Sequence, residues 1–145
     1  MRRWFLLIVL AGCGSKSSTS PAAGPMFTPL VANHLRALAP DCALQRTTDE
    51  VRTCKGELAK QVVITLDSQQ HLRSLDIELA GMFSDRAKIL LDQALAGVVD
   101  TAAFTPRLEK LKLPQTEDVQ VGGAHVTIGA KGQPMSPEFS VQIRW

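Results

Sequence analysis

The sequence predicts an α+β domain: an antiparallel sheet of about four strands, arranged as two hairpins, with helices packed on one face. Three observations predict it. Apolar residues recur at helical spacing in three stretches, and they alternate with polar ones at period two in four others. In chain order these read helix–helix–strand–strand, then helix–arm–strand–strand, a tandem α-ββ pattern.

Thr28 and Pro29 read as the N-cap and first residue of a helix, because a hydroxyl accepts from a free helical N–H and proline's missing N–H is not needed there. Leu30, Val31, His34, Leu35 and Leu38 follow at helical spacing, and Pro40 stops the run. A second short helix is expected from the capping-box spacing Thr47-x-x-Glu50, with Val51, Cys54 and Leu58 on one side and Gly56 breaking it. The period then switches to two. Val62, Ile64 and Leu66 alternate with Val63 and Thr65, Asp67-Ser68-Gln69-Gln70 turns the chain, and Leu75, Ile77 and Leu79 return with Ser74, Asp76 and Glu78 between them.

Ser84 and Asp85 start a helix with Ala87, Leu91, Ala94, Leu95 and Val98 on its buried stripe. Residues 100–118 admit a short helix or an irregular arm carrying Leu108, Leu111 and Leu113. A second hairpin runs from His125, through a turn at Gly132-Gln133-Pro134, to Trp145. In its return strand Phe139, Val141, Ile143 and Trp145 alternate with Ser140, Gln142 and Arg144. That strand resembles the terminal strands of outer-membrane β-barrels, but a barrel needs at least about eight strands. Phe139, Val141, Ile143 and Trp145 therefore either close the core or form an edge strand for a partner to pair with.

The start of the chain carries a different signal. Arg2 and Arg3 precede eight apolar residues, 4–11, which span about 12 Å as a helix against a hydrocarbon core of roughly 30 Å. Such a segment targets a chain and does not span a membrane. It ends in Leu10-Ala11-Gly12-Cys13, which resembles the lipobox of bacterial lipoproteins. The resemblance implies that Leu10, Ala11 and Gly12 are read by the processing enzymes, that cleavage falls before Cys13, and that Cys13 is lipidated. Gly14, where an aspartate would retain the protein, implies the outer membrane with the domain facing the periplasm. Multiple acyl chains anchor stably, since each buried CH₂ contributes about 0.8 kcal/mol.

The domain plan is then a signal peptide at 1–12, a lipidated Cys13 with a Ser/Pro-rich tether to residue 25, and one domain at 26–145. Removing 1–12 removes Arg2 and Arg3, so the formal charge of +2 falls to zero. With scattered basic residues and no tyrosine, nucleic acid is not an expected partner. In an oxidising envelope the remaining even pair, Cys42 and Cys54, is expected as a disulfide, worth about 3 kcal/mol for so short a loop.

Thr47, Val51 and Gly56 in TTDEVRTCKG are similar in spacing to a short helical motif of the SmpA/BamE group of outer-membrane lipoproteins, and VVITLDSQQHLRSLDIEL resembles the hairpin that follows it there. Related folds include the tandem helix–hairpin units of β-lactamase-inhibitor-like proteins. The resemblance implies a non-catalytic module that binds another envelope protein.

No constellation of catalytic or metal-ligating residues is legible. His34, His71 and His125 are far apart with no H-x-x-H spacing, and no G-x-S-x-G is present. GGAHVTIGAKG lacks the G-K-[ST] of a phosphate loop. The expectation is therefore a lipid-anchored binding or scaffold subunit of an envelope complex, without enzymatic activity and without cofactor or metal. An inhibitor-like or small-ligand-binding periplasmic domain is the alternative.

Overall fold

The structure is a computed structural model that describes residues 23–43 and 50–145. Helix α1 (Pro29–Leu35) starts where Thr28 Oγ1 accepts from the Val31 N–H at 3.3 Å, and a short 3-10 helix (Pro40–Ala43) follows. Strands β1 (Val51–Cys54), β2 (Ala59–Leu66) and β3 (Leu72–Ala80) form a meander. Helix α2 (Asp85–Ala94) is capped by Ser84 Oγ. A 3-10 turn (Thr101–Ala103) and helix α3 (Thr105–Leu108) lead to a second meander of β4 (Gln115–Val121), β5 (Ala124–Gln133) and β6 (Ser136–Arg144).

All six strands pair antiparallel in one sheet of order β1-β2-β3-β6-β5-β4. This corrects the expected count of about four. The repeated unit is a helix with three strands, and the two units meet at the centre through β3 and β6, Ile77 opposite Val141.

Both additional strands lie where the sequence reads otherwise. Val51–Cys54 is strand, not the second helix: its residues alternate exposed and buried, and pair with 62–65 of β2. Its side-chain spacing fits a helical face as well as a strand, and pairing to an existing sheet outweighs a local capping pattern. Thr47 itself lies outside the described residues, and the helix pair implied by the SmpA/BamE resemblance does not form at 51–58. Strand β4 occupies the end of the stretch read as an arm. Its partner is β5, reached through the two-residue loop Gly122-Gly123 with Gly122 at φ +58°.

One face of the sheet carries the core. Ile64, Leu75, Ile77, Val126, Ile128, Val141 and Ile143 are all buried there, with Leu35, Leu91, Leu95, Phe104 and Leu108 from the helical segments packed over them. Each fully buried aliphatic side chain contributes about 1.5–3 kcal/mol. Arg52 also points inward, 2% exposed, with its guanidinium carbon 5.2 Å from the Phe27 ring centroid, where the ring's π face offsets part of the cost of desolvating the cation.

Two glycines allow backbone to approach backbone. A Cβ on Gly56 would lie 1.9 Å from the Leu38 carbonyl oxygen, so the β1–β2 turn abuts the chain leaving α1. The same junction is stapled by a disulfide between Cys42 and Cys54, with Cα atoms 5.5 Å apart and both residues buried. At Gly24 a Cβ would meet the Leu72 carbonyl oxygen and the Trp145 ring. The Leu72 N–H donates to the Pro25 carbonyl at 2.9 Å, so residues 24 and 25, expected in the tether, are already docked on the domain.

Candidate functional site

Of the residues singled out from sequence, Leu10, Ala11, Gly12 and Cys13 lie outside the described residues. Phe139, Val141, Ile143 and Trp145 do not form an edge. Strand β6 sits between β3 and β5 with both sides paired, Val141 and Ile143 are buried, and Trp145 packs against the core over Gly24. Of the two readings, core closure and an edge, only the edge fails, because alternation reveals which face a strand buries and says nothing of its place in the sheet order. The sheet's edges are β1 and β4.

The three histidines stay apart. The ring of His34 hydrogen-bonds through Nδ1 to the Ala96 carbonyl oxygen at 2.9 Å, which ties α1 to the turn after α2. His71 follows the β2–β3 turn, 3.5 Å from Asp67, and His125 lies on β5, 3.3 Å from Asp118. Among the described residues no group of three or more His, Cys, Asp or Glu is arranged to hold a metal ion. None of the described helices is long and apolar enough to cross a membrane.

The face of the sheet away from the helices is a polar, charge-compensated surface. One row across all six strands reads Thr53, Val63, Asp76, Gln142, Thr127, Asp118, and the next reads Val51, Thr65, Ser74, Arg144, His125, Gln120. Arg144 Nη2 donates to Asp76 at 2.6 Å, and the Thr127 hydroxyl donates to Asp118 at 2.6 Å. Lys131 reaches Glu78 at 3.4 Å and Glu138 at 3.7 Å. Lys60 also pairs with Glu138, and their hydrogen bond raises the ammonium's pKa and lowers the carboxyl's. Such exposed pairs each contribute little to stability. Three cations, Lys60, Lys131 and Arg144, thus meet three carboxylates, Asp76, Glu78 and Glu138, while Asp118 is met by the Thr127 hydroxyl and His125. A hollow of about 160 Å³ opens among Gln61, Val63, Asp76, Glu78, Ser140 and Gln142.

The second feature is the β4 edge with the groove at its start. Strand β4 pairs with β5 in unbroken register, from Gln115 opposite Ala130 to Val121 opposite Ala124. Thr116, Asp118 and Gln120 face outward, while Glu117, Val119 and Val121 are half-buried toward the helices. Ahead of the strand, residues 111–113 form one wall of a groove of about 420 Å³ whose other walls include Met82, Phe83, Pro137 and Phe139. The rings of Phe83 and Phe139 lie 5.9 Å apart, centroid to centroid, and Met82 and Met135 are 77% and 96% exposed. Part of the signal for β4 was present in the sequence: Val119 and Val121 alternate with Gln120, and Gly-Gly before another alternating run is a two-residue hairpin loop.

No protein-family model, no curated protein and no solved structure matches the chain.

Proposed function

We propose that the chain is a bacterial envelope lipoprotein, held by a lipid on Cys13 at the outer membrane and facing the periplasm. Its α+β domain works there as a non-catalytic binding or scaffold module of an envelope complex. The observation that carries this reading is Leu10-Ala11-Gly12-Cys13 at the end of a short apolar run behind two arginines. The Cys42–Cys54 disulfide supports an oxidising compartment. For the alternative, a small-ligand site on the open sheet face, the hollow of about 160 Å³ is smaller than the roughly 300–1,000 Å³ of ordinary ligand pockets. Metabolic labelling with radioactive palmitate tests the anchor. The wild-type chain takes up label and Cys13→Ala takes up none and stays unprocessed; equal labelling or normal processing of that variant refutes the reading.

A further inference from the structure

We infer that the domain rests on the bilayer by one pole of its sheet, the end where Gly24 and Trp145 meet, with phospholipid headgroups as the surface that covers it. This rests on the lipoprotein reading and gives the anchored domain its orientation. The opposite pole, with Met82, Met135 and the groove over Phe83 and Phe139, then faces the periplasm.

The point where the chain enters the domain selects the pole. Gly24 is buried, and a Cβ on it would lie 2.8 Å from the Trp145 ring, so the chain from Cys13 arrives beside Trp145. From there it is pinned. The Leu72 N–H donates to the Pro25 carbonyl at 2.9 Å, the Phe27 N–H donates to the Gln70 carbonyl at 2.8 Å, and Phe27 is itself 3% exposed. Cys13 and Gly24 are eleven residues apart in sequence, a reach of at most about 40 Å. Strand β3 is nine residues long, so the two poles stand about 30 Å apart. Seating the far pole on the bilayer would lift Gly24 by that distance and hold residues 13–24 near full extension, against chain entropy. Seating the near pole asks for no extension.

The near pole also has the chemistry of a headgroup contact. The Trp145 N–H donates to the Arg73 carbonyl at 3.1 Å, which sets Trp145 opposite Arg73 where β6 ends and β3 begins. At the same end lie Met26, bridged to His71, and Val51 at the start of β1, 53% and 58% exposed. An indole among apolar and polar neighbours suits the layer where hydrocarbon gives way to water. Charge does not choose the lipid. Arg73 and Arg144 share this pole with Glu50, Asp67 and Asp76, and the two aspartates are already met by His71 and Arg144. The anchor and the apolar rim therefore hold the contact, and salt leaves it unchanged. The far pole exposes Met82 and Met135 more fully, at 77% and 96%, but the chain to the anchor does not leave from it.

The test reads tryptophan fluorescence of the mature lipoprotein in vesicles of phosphatidylethanolamine and phosphatidylglycerol. The sequence has two tryptophans, and Trp4 leaves with residues 1–12, so Trp145 is the mature chain's own probe. A phospholipid with a nitroxide on its headgroup is added as a short-range quencher. At headgroup depth Trp145 loses about half of its emission, at low and high salt alike, whereas a Trp145→Phe, Met135→Trp variant loses no more than about a tenth. Quenching at position 135 equal to or above that at Trp145 means that the domain lies flat or inverted, and overturns the proposal. Loss of Trp145 quenching at high salt makes the contact electrostatic and overturns it as well. Flotation of the vesicles on a sucrose gradient separates the two levels of failure. A chain that floats with the vesicles and shows no quenching at Trp145 overturns the orientation and leaves the anchor standing. A mature chain that stays behind overturns the anchor, and the orientation with it.

Discussion

Gly56→Ala offers the sharpest test of the packing. The added Cβ would sit 1.9 Å from the Leu38 carbonyl oxygen and 3.0 Å from its carbon, roughly 1.5 Å short of ordinary contact at the oxygen. Neither side can yield as a flexible side chain would, because both are backbone. The turn is flanked by Cys54 and Ala59, and the facing chain by Leu38 and Ala39, all at most 1% exposed. Relief requires the β1–β2 turn and the end of α1 to separate, which opens the core beneath them. The expected cost is about 3 kcal/mol, at the upper end for overpacking, and a fall in Tm of about 10–15 °C. Urea unfolding followed by far-UV circular dichroism measures it. A second measurement, with Cys42 and Cys54 both replaced by alanine, asks whether the staple holds the two sides together. With the staple gone the junction relaxes, so Gly56→Ala costs less by at least about 0.5 kcal/mol. A Gly56→Ala protein within about 0.5 kcal/mol of wild type refutes the close approach. An unchanged cost without the disulfide refutes the coupling.

Reducing the disulfide, which closes a sequence separation of 12, removes about 3 kcal/mol, read as a lower urea midpoint in the presence of dithiothreitol; an unchanged midpoint excludes a stapling role. The two faces of the sheet give opposite results. Ile77→Ala, at the buried centre, costs about 3–4 kcal/mol, whereas Gln142→Ala on the open face stays within about 0.5 kcal/mol in the same assay. Asp67 titrates below its ordinary 3.8, first because the His71 backbone N–H donates to its carboxylate at 2.9 Å, with the Gln69 N–H at 2.8 Å alongside. A depressed folded pKa stabilises the fold above the unfolded value and loses that contribution as pH falls through the folded one. Wild-type stability therefore falls more steeply below about pH 4 than that of Asp67→Asn, and equal slopes of urea midpoint against pH refute the role.

Much of the domain was legible because the strands that bury one face must alternate. Val62, Ile64, Leu75, Ile77, Val126, Ile128, Val141 and Ile143 announce both central hairpins, and Thr28, Ser84 and Asp67 mark two helix starts and a turn by hydrogen-bonding their own backbone. What escaped depends on neighbours distant in sequence. Val51–Cys54 has too few residues to separate a strand from a helical face, and only β2 decides it. In β4, Glu117 and Gln115 point toward the helices, so the polar and apolar faces blur. The candidate site was missed for the same reason: whether a strand is an edge is a property of the whole sheet, and Phe139 to Trp145 advertise only their own alternation.

The central pairing of β3 with β6 has a kinetic side. Within each meander the strands close through short loops, but β3 and β6 join residues between 58 apart, at Ala80 and Glu138, and 70 apart, at Ser74 and Arg144. The hairpins therefore form early and locally, and the seam between the halves closes last, after the larger loss of chain entropy. Until then each half presents a long apolar strand, β3 or β6, with one side unpaired. At high concentration that side accepts the other half of a second molecule as readily as its own, which makes an exchanged dimer the characteristic misassembly of this architecture.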